Sequence, residues 1–194
     1  MGCDIHTCLE VKDKEGNWQS LELYKKNRYF GQYDDEPEYE KVEVYNDRNY
    51  ELFSALCGVR DYTNERPKIS EPKGVPDNAS KETLEQYENE KDGCHSASFN
   101  NLAELYEYQT SHKIVKRSGL ITPEQAEALD QGILPKGWCQ GSSDKSLVWR
   151  EWEAEKDVMG TLISNIEHQT REAAWVCDHK KEAENIRIVY WFDN

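Results

Sequence analysis

Two strand-like segments stand near opposite ends of this 194-residue chain, and they constrain its fold more than anything between them. Ile186-Arg187-Ile188-Val189-Tyr190-Trp191-Phe192 is β-branched and aromatic, the composition of a central strand. At the other end, alternation along Cys3 to Val11 puts Cys3, Ile5, Thr7, Leu9 and Val11 on one side and Asp4, His6, Cys8 and Glu10 on the other. Two strong strands in one small chain have few partners except each other. Asp13 to Asn17 reads as a turn returning through Trp18 to Leu23, which adds a hairpin arm, and Val42 with Val44 suggests a short strand.

Helical recurrence follows over 48–59, stopped by Gly58, with Asn46 and Asp47 as capping candidates. Ser80 opens a second helix to Glu90, and Ser98 or Asn100 caps one carrying Leu102 and Leu105. Thr122-Pro123-Glu124-Gln125 has the form of a capping box with proline at the first helical position. An amphipathic pattern then runs over 158–176. The expected architecture is α+β: one domain over 1–194, a mostly antiparallel sheet containing the N- and C-terminal strands, and the 48–59 and 158–176 helices covering it.

Charge narrows the function. Lys and Arg number 24 against 38 Asp and Glu, a formal charge of −14 that repels phosphate backbones and argues against long nucleic acid as a partner. Apolar runs fall far short of the ~20 residues needed to cross a bilayer, so no membrane association is expected. Six cysteines with no charged-then-apolar leader before them read as reduced thiols in a cytoplasmic protein. Pro67, Pro72, Gly74 and Pro76 forbid regular helix between the first two helices and leave a constrained loop.

Several blocks together resemble a family of mostly phage-encoded proteins that open Met-Gly-Cys-Asp-Ile-His. The matching segments are Met1 to His6, Arg48-Asn49-Tyr50 with Leu52-Phe53, Gly58-Val59-Arg60, Glu71-Pro72 with Gly74-Val75-Pro76, His95-Ser96, and Arg187 to Asp193. Where such proteins carry Trp after the His-Ser pair, this chain has Ala97-Ser98-Phe99, and residues 110–180 match least. The resemblance implies an accessory protein in the cytoplasm of a host bacterium, sequestering a host immune signalling molecule. It brings no catalytic residue with it.

The residues themselves suggest one pocket. Asp4 and His6 share a strand face; Arg48, Asn49 and Tyr50, then Arg60, then His95 follow from later segments. Two guanidiniums, two imidazoles and a carboxylate suit a small anionic, nucleotide-like ligand, with Tyr50 able to stack on a base. The plain alternative is that Asp4 forms a structural ion pair with Arg48 or Arg60.

An enzyme reading uses the same groups. His6 or His95 would act as general acid or base with Asp4, or Asp4, His6 and His95 would hold a divalent metal, to hydrolyse a phosphodiester. No cofactor is otherwise expected. Walker and dinucleotide-binding glycine patterns are absent, as is the elbow that exposes a nucleophile. A third reading is an acidic protein-binding inhibitor or DNA mimic acting through 34–43 and 82–92. A homodimer would suit a small-ligand site at a two-fold interface.

Overall fold

The computed structural model describes residues 2–33, 36–61 and 67–194. In chain order the elements are β1 (Asp4–Lys12), β2 (Trp18–Ser20), β3 (Tyr24–Lys26), β4 (Tyr39–Lys41), α1 (Tyr50–Cys57), α2 (Lys81–Glu90), β5 (Cys94–Asn101) and α3 (Leu102–Ser111). β6 (Ile114–Ile121), α4 (Pro123–Asp130), β7 (Val148–Glu155), α5 (Gly160–Ala174), α6 (His179–Glu182) and β8 (Ile186–Asp193) complete the set. The class is α+β. The chain divides into two compact units, residues 1–110 with 158–194, and residues 111–157.

The first unit is built on an antiparallel sheet of order β2-β1-β8-β5. The terminal strands are neighbours over their whole length, from Asp4 opposite Asp193 to Val11 opposite Ile186. One face of the sheet carries Cys3, Ile5 and Leu9 with Ile186, Ile188, Tyr190 and Phe192. It packs against α1, α3 and α5 through Phe53, Leu56, Leu105, Leu162 and Ile166. Burial of this apolar surface drives the unit together. The opposite face carries Cys8, Val189 and Trp191 at its middle. There α2 covers it, with Tyr87 edge-on to Trp191 at 5.2 Å.

Local chemistry sets the element ends. The Asp13 carboxylate accepts from the backbone N–H groups of Glu15 and Asn17 and so ties the β1–β2 turn. Asn49, not Asn46 or Asp47, caps α1 by accepting from the Leu52 N–H, and Gly58 closes that helix in the left-handed conformation at φ 80°. Ser80 caps α2 as its sequence suggests.

The stretch proposed to hold a helix cap at Ser98 or Asn100 is instead strand β5. Its ladder to β8 shifts register between His95 and Ser98, where Ser96 takes φ 53°. The cap of α3 is Asn101, which accepts from the Glu104 N–H while the Glu104 carboxylate accepts from Asn101 in return. Val42 follows β4 without belonging to a strand. Its carbonyl, with that of Glu43, is taken by the Gln169 amide of α5.

The second unit is a β6–β7 hairpin with α4. Thr122 and Gln125 exchange both capping-box hydrogen bonds, and proline occupies the start of α4. Ile121, Ala126 and Trp152 form its small core. No described helix is long and apolar enough to cross a membrane.

Candidate functional site

The face of the sheet under α2 is polar at both ends and apolar between. Along β1 it presents Asp4, His6, Cys8, Glu10 and then Lys12; along β8 it presents Asp193, Trp191, Val189 and Arg187. Two carboxylate–guanidinium pairs therefore sit on one strand face, separated by the covered patch.

The first pair lies where the sequence places the site. Asp4 receives Arg48 through both oxygens, Nε to Oδ1 at 2.5 Å and Nη2 to Oδ2 at 2.6 Å. The guanidinium beside it holds the Asp4 carboxyl below the usual carboxylate range. Gly2 lies close under this pair, where a Cβ would stand 2.5 Å from Arg48 Nη1 and displace the guanidinium. His6 lies between two more carboxylates, with Nδ1 at 3.2 Å from Glu90 Oε2 and Nε2 at 3.2 Å from Asp193 Oδ2. An imidazole donates to both only with both nitrogens protonated, so a neutral ring keeps one of these hydrogen bonds. Its ring lies parallel to Trp191, whose Nε1 donates to the same Glu90 oxygen at 2.8 Å.

Arg60, in a left-handed backbone (φ 59°) that non-glycine residues seldom take, donates through Nη2 to the Gly2 carbonyl at 3.2 Å and to Asn194 Oδ1 at 2.7 Å. Tyr50 accepts from the Cys3 N–H at 3.3 Å and lies beneath the Arg60 guanidinium at 5.8 Å. Asn49 is committed to the cap of α1. The flanks of α1 thus clamp the start of β1 from two sides.

His95 is separated from His6 by the sheet. His6 is opposite Trp191 and His95 opposite Phe192; these are successive residues of one strand, so the two imidazoles project from opposite faces. His95 stacks on Phe192 and has Ser96 Oγ at 3.0 Å from Nδ1. The seven residues expected in one pocket meet at one end of the sheet but divide between its faces. A centre built from Asp4, His6 and His95 together is not formed, and among the described residues no group of three or more His, Cys, Asp or Glu is placed to hold a metal ion. Of the acidic 34–43 stretch, residues 34 and 35 lie outside the described residues.

The second pair is buried and borders open space. Glu10 and Arg187 are fully and almost fully inaccessible, with Nε to Oε2 at 2.6 Å. The remaining Arg187 nitrogens donate to Asn78, Nη1 to Oδ1 at 3.0 Å and Nη2 to the carbonyl at 3.1 Å, and the other Glu10 oxygen accepts from the Ser80 N–H at 2.7 Å. One ion pair therefore pins the proline-containing loop to the sheet.

Arg187 lies over the Trp18 ring at 4.0 Å and at 5.7 Å from that of Phe99. The Lys12 ammonium stands over Trp18 at 4.9 Å, and that of Lys73 over Phe99 at 4.3 Å. Three cations and two rings interleave. They line a groove of about 300 Å³, joined by Asn101, Glu104 and Glu184.

Sequence reasoning did not single this groove out, but its signal is present. Arg187 is the one charge inside an apolar central strand and needs a buried partner, and Lys12 is the next residue on the face of β1 that begins with Asp4. No family model, curated protein or solved structure matches this chain.

Proposed function

We propose that this protein binds a small anionic, nucleotide-like ligand, and that it does so in the groove between Lys12 and Lys73 rather than at the start of β1. The observation that carries this reading is the interleaving of Lys12, Trp18, Arg187, Phe99 and Lys73 around open space. Aromatic faces attract a planar ring and ammonium groups an anion, and a groove of this size suits a small ligand. At the start of β1 the guanidiniums are occupied by Asp4, Gly2 and Asn194, and Glu90 and Asp193 add negative charge beside His6. That end works as a fastening. The setting proposed with this reading is a phage-type accessory role, holding a host signalling molecule in the host cytoplasm.

The test is retention and release. Protein incubated with a panel of nucleotides, washed by gel filtration and then heated should return the retained compound chemically intact. Return of a hydrolysed product would replace binding by phosphodiester hydrolysis. If no nucleotide is retained while a protein partner is captured, the ligand reading fails in favour of an acidic inhibitor. Lys12→Ala with Lys73→Ala should weaken retention by at least about tenfold, the effect of losing roughly one charge-assisted contact.

A further inference from the structure

We infer that the groove is divided into a ring seat and an anion seat, and that its ligand is a nucleoside monophosphate rather than a polyphosphate; this rests on the anion-binding reading above. Two hollows meet at Lys73 and Phe99, which line both. The larger, of about 470 Å³, is walled by Val75 and Pro76 with Asp77 and Asn78 at its edge. Apolar walls beside the Phe99 ring suit the face of a base. Asn78 gives its side-chain oxygen and its carbonyl to Arg187, which leaves its amide N–H groups to read a base edge. The smaller hollow holds Lys12, Trp18, Glu104 and Glu184.

Charge accounting limits what the second seat accepts. Arg187 gives Nε to Glu10 and one N–H of each terminal nitrogen to Asn78, and its side chain is only 5% exposed, so little of its donor capacity faces the hollow. Lys73 has Glu104 Oε1 at 3.6 Å, and Glu104 is fixed there because its other oxygen caps α3. Lys12 has no carboxylate partner among the described residues. One unshared ammonium and one shared with an acid match a single phosphate. Glu104 and Glu184 line this same hollow, so each phosphate added to the first meets like charge with no further free ammonium to offset it.

Calorimetric titration of the intact protein with four probes decides this: the common nucleoside 5′-monophosphates, the matching triphosphates, the free nucleosides and inorganic phosphate. Monophosphate should bind at least about tenfold more tightly than each of the other three. Lys12→Ala should reduce the advantage over the nucleoside, and Glu104→Gln, which keeps an oxygen for the cap, should raise triphosphate affinity relative to monophosphate. Triphosphate binding as tightly as monophosphate would overturn the division of charge while leaving the anion site standing. Inorganic phosphate matching the monophosphate would remove the ring seat. No binding of any phosphate would remove the anion-binding reading itself.

Discussion

Two arginine–carboxylate pairs share one face of β1, and they are opposite in character. Asp4 with Arg48 is a geometrically ideal fork whose side chains are 44% and 58% exposed. Glu10 with Arg187 is held at much the same distance but is 0% and 5% exposed. Exposed pairs give up little hydration and contribute little; a buried pair has lost its water, so each member depends on the other. Geometry alone does not rank them. Burial does, and it puts the consequential pair at the groove rather than at the conspicuous opening hexapeptide.

Breaking the buried pair is the strongest way to test that ranking. Arg187→Met strands the Glu10 carboxylate and removes both anchors of Asn78, so urea unfolding should show a loss of about 3–5 kcal/mol. The double variant with Glu10→Gln should recover a large part of it. If Arg187→Met unfolds with the wild type, the pair is not the anchor described.

The thiols give a second, intermediate test. Cys8 lies on this face between the two pairs, and Cys57 lies in α1; burial pushes both thiols from 9.0 up to about 12. A raised folded-state value means the stability tied to the neutral thiol is fully present below pH 9 and is lost as pH rises toward 12. Unfolding midpoints should therefore decline across that window, and less steeply in a Cys8→Ala, Cys57→Ala variant. Exposed Cys177 should meanwhile react with a thiol reagent in the native protein, well before Cys3, Cys8 and Cys57.

The smallest effect belongs to the exposed pair. Asp4→Asn should leave the unfolding midpoint at pH 7 nearly unchanged. Because Arg48 lowers the Asp4 value, whatever this pair contributes is present above about pH 3.8 and fades as pH falls through the lower folded-state value, where variant and wild type should converge. A large loss at pH 7 would equalise the two pairs and end the comparison.

How far the sequence reaches follows from what each signal depends on. The α1, α2, α4 and α5 helices and the alternation of Asp4, His6, Cys8 and Glu10 are local patterns, the β1–β8 pairing follows from two strong strands with few other partners, and the structure contains all of them. β5 escaped because Cys94-His-Ser-Ala-Ser-Phe-Asn-Asn has almost no β-branched or apolar run; its strand state comes from pairing with β8. β6 and β7 likewise support each other, and Gly119 is required there because a Cβ would stand 2.6 Å from Trp138.

For the site, the approach of Asp4 to Arg48 was legible, as was the gathering of later segments around the start of β1. The division by the sheet was not, since it depends on whether His95 pairs with Trp191 or with Phe192, a register no single strand reveals. The groove was hidden for a similar reason. Lys12, Lys73 and Arg187 are distant in sequence, and only the ladder and the pinned loop bring them to one place.

The same ladder sets the order of events during synthesis. Asp4 meets Asp193 across 189 positions, and β8 is the strand that both β1 and β5 require. Until that segment has left the ribosome, β1 has an open edge toward the sheet's centre and the helices lack most of the surface they cover. Closing so long a loop costs chain entropy, and an unpaired strand edge is a template for pairing with another chain until β8 arrives.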